Sequence, residues 1–318
     1  MAKILQGKEI AILGYGSQGS AQAHNLRDSG YESVIGLPAK SKSRVAARKE
    51  QFEVATPLQA IERGDILAFL LPDHLHRELF GSIPIKLLRG KSLIFAHGLS
   101  VAFELIKPPS NCDLILVAPH GPGIRIRELY KAGRPFTAFW GVQQNATGDA
   151  VRIAREYARA IGCQTSGLFK TSFRDEAVGD IFGEQAVLCG GLTGLIECGF
   201  KTLVQRGLSA ENAYLECVHQ LDLIIDLIKR HGPSGMFERI SKTAAIGSLA
   251  AKDKLFDSEM KKRMARIYDE IADGRFARTL MRESDNGLKD YKKKLAVVKN
   301  SGLQKAGEKL GKRMGREL

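Results

Sequence analysis

Two pairs of oxygen-bearing side chains, each spaced four residues apart, are the most suggestive chemical feature of the second half of the chain. Asp180 and Glu184 lie in a segment of apolar and small residues, and Glu216 precedes Gln220 in another apolar stretch. Residues four apart project from one face of a helix, and carboxylates on a buried face are costly unless a cation compensates them. The spacing is compatible with chelation of a hard divalent ion such as Mg²⁺. Exposed helix faces that make ordinary salt bridges would explain it as well.

A glycine-rich turn near the N-terminus predicts a dinucleotide site. The motif Gly14-Tyr-Gly16-Ser-Gln-Gly19 follows an apolar run and opens a helical pattern. The first glycine permits a tight turn, the second lets backbone approach a pyrophosphate, and the third allows close packing of helix on strand. We expect cofactor contacts from the following residues: Gly14, Tyr15, Gly16, Ser17, Gln18, Gly19, Pro72 and Gly123.

The end of the second apolar run indicates which dinucleotide is preferred. Sites for NAD place an acidic residue there to hold the ribose hydroxyls, whereas this chain reads Leu37-Pro-Ala-Lys-Ser-Lys-Ser-Arg44 with no carboxylate. Cations and hydroxyls suit a 2′-phosphate, so we predict NADPH; an exposed basic loop is the alternative. The predicted contacts are Lys40, Ser41, Lys42, Ser43 and Arg44.

The elements that must position these groups form two blocks. Six apolar runs alternate with helical patterns: Ile10–Leu13, Val34–Leu37, Ile66–Leu71, Leu93–Ala96, Leu114–Ala118 and Phe136–Val142. Such runs are typical of parallel strands covered on both faces, and the alternation predicts a doubly wound α/β Rossmann domain. From Phe173 the pattern is helical throughout. We therefore expect an α/β domain at 1–172, an all-α domain at 173–290 and a basic tail at 291–318.

Composition limits the classes of protein that fit. The chain has 318 residues, 44% hydrophobic and 26% charged, which is ordinary for a globular protein. Of the net charge of +13, residues 289–318 contribute ten Lys/Arg against three Asp/Glu, so the excess is concentrated in one segment. No uninterrupted apolar run has the length needed to span a bilayer. We expect a cytoplasmic protein that binds neither nucleic acid nor membrane.

Five segments carry a resemblance to a known family: Gly14-Tyr-Gly-Ser-Gln-Gly19, Phe95-Ala-His97-Gly98, Val117-Ala-Pro-His120-Gly-Pro-Gly123, Asp180-Ile-Phe-Gly-Glu-Gln-Ala-Val-Leu-Cys-Gly-Gly191 and Ala213-Tyr-Leu-Glu216-Cys. Over nearly its whole length the chain resembles ketol-acid reductoisomerase, in the short form of that family. The resemblance implies Mg²⁺-assisted alkyl migration in a 2-hydroxy-2-alkyl-3-oxo acid. NADPH then reduces the product to a 2,3-dihydroxy acid, in branched-chain amino-acid synthesis.

The resemblance also implies roles for individual residues. Asp180, Glu184 and Glu216 match metal ligands, His97 matches an active-site histidine, and Ser241 matches a serine that contacts substrate. His120, Glu184 and Gln220 stand at catalytic positions. The family's helical domain is knotted and builds a dimer, so a homodimer or higher assembly with a small 2-keto or hydroxy acid as substrate is expected.

The chain departs from the family pattern near the expected active site. His120 replaces a lysine, Gln220 a glutamate and Lys242 an asparagine, and Ala177-Val-Gly179 replaces Thr-Glu-Thr. The first two changes remove one charge of each sign, so they nearly preserve the charge of the site, but an amide holds Mg²⁺ more weakly than a carboxylate. Two alternatives stay open: a divergent reductase of a 2-keto acid, other carbonyl or imine without migration, and a non-catalytic nucleotide-binding homologue.

Overall fold

The chain divides into two units, an N-terminal unit, Met1–Gly179, and a helical unit, Asp180–Leu318. The computed structural model describes residues 3–315. The division falls inside one helix, Phe173–Gly183, seven residues after the boundary expected from the sequence.

The N-terminal unit is built on an eight-stranded sheet. Its strands, listed in chain order, are β1 (Ile10–Leu13), β2 (Ser33–Gly36), β3 (Glu53–Ala55), β4 (Ile66–Phe69), β5 (Ser92–Phe95), β6 (Asp113–Pro119), β7 (Phe136–Gln144) and β8 (Cys163–Lys170). Their spatial order is β3-β2-β1-β4-β5-β6-β7-β8. The strands from β1 to β6 are parallel, whereas β7 runs antiparallel to β6 and β8 is parallel to β7.

Helices cover both faces of this sheet. They are α1 (Ser17–Asp28), α2 (Ser43–Lys49), α3 (Pro57–Arg63), α4 (His76–Ser82), α5 (Leu99–Ala102), α6 (Gly123–Lys131) and α7 (Ala150–Ala160), with α8 (Phe173–Gly183) leading into the helical unit. Short 3₁₀ turns occupy Asp73–Leu75 and Ile85–Leu88. The strand side chains split into two buried clusters, one on each face. Burial on both faces is why β1, β4 and β5 read as uninterrupted apolar runs.

The strand order reverses between β1 and β4, because β2 and β3 extend to one side and β4 to β6 to the other. In open α/β sheets ligands bind outside the carboxyl ends of the strands at such a switch point. The glycine turn that follows β1 lies at this position.

Two features of the sheet differ from the sequence-based expectation. The run Phe136–Val142 was expected to be parallel, but β7 is antiparallel. Strand β3 had no apolar run to reveal it, because it has three residues, lies at the sheet edge and is only partly covered. Its pairing with β2 is therefore a tertiary feature that a periodicity argument does not detect.

The helical unit contains no strand among the residues described. Its helices are α9 (Gly190–Gln205), α10 (Ala210–Tyr214), α11 (Leu221–Arg239), α12 (Lys242–Leu255), α13 (Ser258–Ala272), α14 (Arg275–Asp285), α15 (Lys289–Lys299) and α16 (Gly302–Arg313). The continuous helical run Phe173–Gln205 is long and apolar enough to cross a membrane by length and composition alone, with 6% of its most apolar window buried. Charged residues interrupt this run, so it passes by mean hydropathy over a window and not as the uninterrupted apolar run that the expectation concerned.

The predicted basic tail is instead helical over most of its described part, and its last helix is packed. In α16, Ala306 and Leu310 are buried, and Leu303 packs beside them against Phe200 and Ala213. The spacing of three and four residues places these side chains on one helix face, and the lysines occupy the other. The excess of lysines in this segment made the amphipathic pattern of α16 hard to recognise.

Two π-helical turns interrupt the helical unit, at Glu184–Leu188 and Leu215–His219. In the first, the Cys189 N–H donates to the Glu184 carbonyl, five residues back. A Cβ on Gly190 would overlap the Gln185 carbonyl oxygen, and one on Gly191 would overlap that of Ala186. Glycine at both positions is therefore what lets the wider turn close.

Replacing Gly191 with alanine should lower the free energy of unfolding by about 1–3 kcal/mol, the usual cost of forcing an atom into a packed position. Gly194→Ala is the matched control on the same helix, since a Cβ there meets nothing within 4 Å. It should leave stability unchanged or raise it by about 0.5–1 kcal/mol. Urea unfolding of both variants checks this, and equal effects would show that the π turn tolerates a side chain.

Candidate functional site

The glycine turn after β1 is shaped by two close approaches of backbone. Gly14 has φ +106°, and a Cβ on it would lie 2.6 Å from the Leu71 backbone nitrogen, just after β4. A Cβ on Gly19 would overlap the Gly14 carbonyl oxygen. The first and third glycines of the motif are thus required by space, as the motif predicts.

The second glycine faces open space. A Cβ on Gly16 would meet no atom within 4 Å, and Gly16 is the N-cap of α1, where no described side chain accepts from the first-turn N–H groups. Such a helix N-terminus offers free backbone donors and a positive dipole end to an anion. The turn therefore fits a dinucleotide pyrophosphate.

Other residues of the predicted cofactor set brace the turn. The buried Tyr15 hydroxyl donates to the Glu50 carboxylate, and burial, followed by that hydrogen bond, raises the pKa of Tyr15. Gln18 Nε2 donates to the Gly121 carbonyl at 2.9 Å. A Cβ on Gly123, the first residue of α6, would overlap the Ser17 carbonyl oxygen.

The predicted phosphate contacts in the loop between β2 and α2 differ in exposure and in hydrogen bonding. Lys40 and Lys42 are exposed, and within residues 3–315 neither makes an ion pair or side-chain hydrogen bond. Arg44 is half-buried and donates to the carbonyls of Leu37 and Ala55, at 2.7 and 3.0 Å. Ser41 Oγ accepts from the Ser43 N–H at 3.3 Å, which shapes the loop locally.

His97 follows β5 and is held by a carboxylate that sequence reasoning missed. Glu176, only 4% exposed, accepts from the Gly98 N–H at 2.5 Å and lies 3.1 Å from His97 Nδ1. A Cβ on Gly98 would overlap the Phe173 carbonyl oxygen, so the His-Gly pair is what lets α8 begin this close to β5. One feature of the sequence could have revealed Glu176: it stands four residues before Asp180, the same spacing that separates Asp180 from Glu184.

A second histidine, which is buried, supports the same edge of the sheet. The imidazole of His76, 2% exposed, lies 3.0 Å from the Leu71 carbonyl through Nε2 and 2.8 Å from Ser100 Oγ through Nδ1. A carbonyl only accepts, so Nε2 carries the proton and Nδ1 accepts from the Ser100 hydroxyl. His76 thereby joins the turn after β4, which contains Pro72, to the turn after His97.

His120 and Ser241 each have a clear local role. His120 follows β6; its Nδ1 lies 2.8 Å from Thr137 Oγ1, and its ring packs edge-on against Phe139. Ser241 is the N-cap of α12, and its Oγ accepts from the Ala244 N–H at 3.1 Å. Its hydroxyl proton is not used in that bond and is available to another acceptor.

The predicted metal ligands of the helical unit are exposed, and two of them lie in the π-helical turns. Glu184 begins the first turn, one helical turn after Asp180, and Glu216 lies in the second. Gln220 Nε2 donates to Glu216 Oε2 at 3.3 Å. π turns inside α-helices occur frequently at functional sites, and exposed carboxylate oxygens are the ligands that Mg²⁺ prefers.

Two family models match successive parts of the chain. The model of the acetohydroxy acid isomeroreductase NADPH-binding domain matches residues 4–167, and that of the ketol-acid reductoisomerase C-terminal domain matches residues 173–316. The chain belongs to the ketol-acid reductoisomerase family. The expected α/β Rossmann domain followed by a helical domain is confirmed; the knot, the dimer and the roles of the site residues stay predictions.

Relatives of this family agree over nearly the full length. The chain is 41% identical to a protein of Kineococcus radiotolerans named ketol-acid reductoisomerase (NADP(+)), over 98% of this chain and 91% of that one. A solved NADH-preferring ketol-acid reductoisomerase from an uncultured archean superposes with a TM-score of 0.93 at 36% identity, covering 97% and 95% of the two chains. A semialdehyde dehydrogenase NAD-binding protein from Cupriavidus necator, at 16% identity and a TM-score of 0.66 over 85% and 98% of the chains, shares the fold alone.

Acid should destabilise the protein through His76. Burial lowers the pKa of His76, against the opposing charge of Asp73 at 3.9 Å. The unfolded chain therefore takes up the proton first, so stability is full above the ordinary histidine pKa of about 6.5 and falls, by up to about 1.4 kcal/mol per pH unit, below it.

In His76→Gln the amide can donate to Leu71 and accept from Ser100, but it does not titrate. We expect the stability of this variant to fall less than that of the wild type between pH 7 and pH 5, measured by urea unfolding. Parallel pH profiles would mean that His76 is not the group responsible.

Proposed function

We propose that the chain is an NADPH- and Mg²⁺-dependent ketol-acid reductoisomerase, which converts a 2-hydroxy-2-alkyl-3-oxo acid into a 2,3-dihydroxy acid. The observation that carries the proposal is the combination, in one member of this family, of an open glycine turn at Gly16 with carboxylates at two π-helical turns. The first feature suits a dinucleotide, and the second suits a hard metal ion.

The choice of NADPH rests on this chain's own loop, because relatives differ in the cofactor that their names state. One is named for NADP(+), and another is described as NADH-preferring. The exposed ammonium groups of Lys40 and Lys42 offer two charges to a 2′-phosphate, and the loop has no acidic residue for a free ribose hydroxyl. Both features favour NADPH.

Asp180, Glu184 and Glu216 are the residues that would hold Mg²⁺, with the Gln220 amide as a neutral neighbour of Glu216. When bound, the metal would supply Lewis acidity toward the substrate oxygens. The Gln220 amide donates to one oxygen of the Glu216 carboxylate, Oε2, at 3.3 Å. Replacement of a glutamate by Gln220 leaves that ligand pair with one negative charge instead of two.

In the N-terminal unit, Glu176 contacts His97 through Nδ1 and so orients the ring at the carboxyl end of β5. The Gly98 N–H donates a further hydrogen bond to the buried Glu176 carboxylate. His120 is anchored by Thr137 and Phe139, at a position where the family pattern has a lysine.

Assembly into a homodimer or higher oligomer is part of the proposal. The helical unit exposes large apolar side chains, among them Leu188 at 65%, Leu223 at 63% and Ile246 at 71%. Exposed apolar area of this kind marks surfaces that another protein surface covers.

The proposed reaction is tested by incubating the protein with 2-acetolactate, Mg²⁺ and NADPH and following NADPH absorbance and the dihydroxy acid formed. Turnover that needs all three components is expected. A panel of 2-keto acids is run in parallel. Reduction of these without turnover of 2-acetolactate would replace the proposal with a reductase that lacks migration, and NADPH binding with no turnover of either would indicate a non-catalytic homologue.

Removing either carboxylate of the first pair should separate metal chemistry from cofactor binding. Asp180→Asn and Glu184→Gln should each lower Mg²⁺-dependent turnover by a hundredfold or more, on the order expected when a metal's stabilisation of several kcal/mol is lost. NADPH affinity should stay within about twofold, because the cofactor contacts lie in the N-terminal unit.

Glu197→Gln is the control for this experiment, since Glu197 is an exposed carboxylate of α9 paired only with Lys201 in the described structure; its turnover should be unchanged. Gln220→Glu should act in the opposite direction and tighten Mg²⁺, as measured by calorimetry. If Asp180→Asn and Glu184→Gln weakened NADPH binding as strongly as turnover, the carboxylates would serve folding and not the metal.

A further inference from the structure

Arg44 closes the end of the sheet instead of facing the loop that precedes it. Its Nη1 donates to the Leu37 carbonyl at 2.7 Å and to the Ala55 carbonyl at 3.0 Å, and its Nη2 lies 3.5 Å from the Val54 carbonyl. Leu37 directly follows β2, and Val54 and Ala55 end β3. One guanidinium therefore joins the carboxyl ends of two strands to the first turn of α2.

These carbonyls are at the point where the strand ladder ends. The Leu37 N–H donates to the Ala55 carbonyl at 3.1 Å, and this is the last rung of the β2–β3 pairing. Beyond it no further strand residue supplies donors, and β3 is a three-residue edge strand. The planar fork of an arginine suits such a task, because its five N–H donors have a fixed geometry.

The two lysines of the loop are in a different situation. Lys40 and Lys42 are exposed and lie between the two points that Arg44 connects, Leu37 and the start of α2. The Ser41 N–H donates to the Pro38 carbonyl at 2.9 Å, so the loop backbone is also closed internally. Because the loop backbone is fixed in this way, the two lysines start from defined backbone positions.

The far end of α2 is tied to the glycine turn. The Glu50 carboxylate accepts from the Tyr15 hydroxyl, and the Glu50 carbonyl accepts from Arg27 Nη1 at 2.7 Å. With Arg44 at one end and Glu50 at the other, α2 is anchored to β3 and to the turn that would hold the pyrophosphate. Loss of the Arg44 hydrogen bonds would therefore disturb the binding site of any adenosine dinucleotide.

We propose that Arg44 is a positioning residue that sets the β2–α2 loop for both nicotinamide dinucleotides, and that Lys40 and Lys42 alone supply the charged contacts to the 2′-phosphate. The inference rests on the proposed function, since it takes dinucleotide binding at this turn as given. It replaces the expectation that Arg44 contacts the phosphate, because its Nη1 donates to two backbone carbonyls and its Nη2 lies 3.5 Å from a third.

The experiment compares four variants of the full-length chain: Arg44→Gln, Lys40→Gln, Lys42→Gln and, as a matched control, Arg48→Gln. Arg48 is exposed on the same helix and loses the same charge, and no described residue pairs with it. Calorimetry measures the Kd of NADPH and NADH, and of the fragments adenosine 2′,5′-bisphosphate and 5′-AMP. The measurements are made at a temperature where circular dichroism shows every variant fully folded.

Arg44→Gln should weaken NADPH and NADH by the same factor, about twofold to tenfold, the cost of ordering a loosened loop. The two fragments should weaken together as well. Lys40→Gln and Lys42→Gln should each weaken NADPH and the bisphosphate by about tenfold, the value of one charged hydrogen bond, with NADH and 5′-AMP unchanged. Arg48→Gln should change neither cofactor.

Three results would overturn the proposal. Arg44→Gln that loses affinity for NADPH but not NADH would make Arg44 a phosphate ligand. Arg44→Gln with wild-type affinity for both would give it no positioning role. Lysine variants without effect would exclude the assigned contacts. A wild-type chain that binds neither dinucleotide would instead refute the proposed function, and this wild-type measurement is read before any variant.

Discussion

The N-terminal unit depends on backbone segments that approach one another more closely than any side chain would permit. At the carboxyl edge of its sheet, a Cβ at Gly19, Gly98 or Gly123 would overlap a backbone carbonyl oxygen, and one at Gly14 would lie 2.6 Å from a backbone nitrogen. These contacts hold the turn after β1, the turn after β5 and the starts of α6 and α8 close to the sheet edge. The polar groups of the site are carried by the same turns. His97 therefore owes its place to the glycine that follows it.

The helical unit uses the same constraint for a different purpose. Gly190 and Gly191 leave room for carbonyls five residues back, and the π turn that results displaces the helix at Glu184. Such turns are less favourable than regular helix and persist where function retains them. A second π turn, at Leu215–His219, contains Glu216 but no glycine. A π turn and a carboxylate coincide in both places, which supports the proposal that Glu184 and Glu216 hold the metal.

Elements of the fold that a local sequence pattern determines could be predicted, and those that distant contacts determine could not. The strands β1, β4 and β5 were found because residues buried on both faces leave an apolar run, and the glycine turn was found because its spacing has a steric cause. Strand β3 and helix α16 were missed, since one is stabilised mainly by pairing at an edge and the other is rich in lysine. Glu176 was missed because nothing in its own neighbourhood shows that His97 and Gly98 fold onto it.

Arg44 shows the same limit at the level of a single side chain. By residue type and position in the sequence, Arg44 belongs with Lys40 and Lys42. Only the three-dimensional structure shows that its guanidinium is directed at carbonyls, whereas the two ammonium groups are exposed. This separation bears on the cofactor preference proposed for this chain. If Arg44 fixes the backbone and the lysines display the charge, as proposed, exchange of the lysines would alter cofactor preference without refolding the loop. A relative described as NADH-preferring shares this fold with a TM-score of 0.93, which is the outcome that such a division of roles permits.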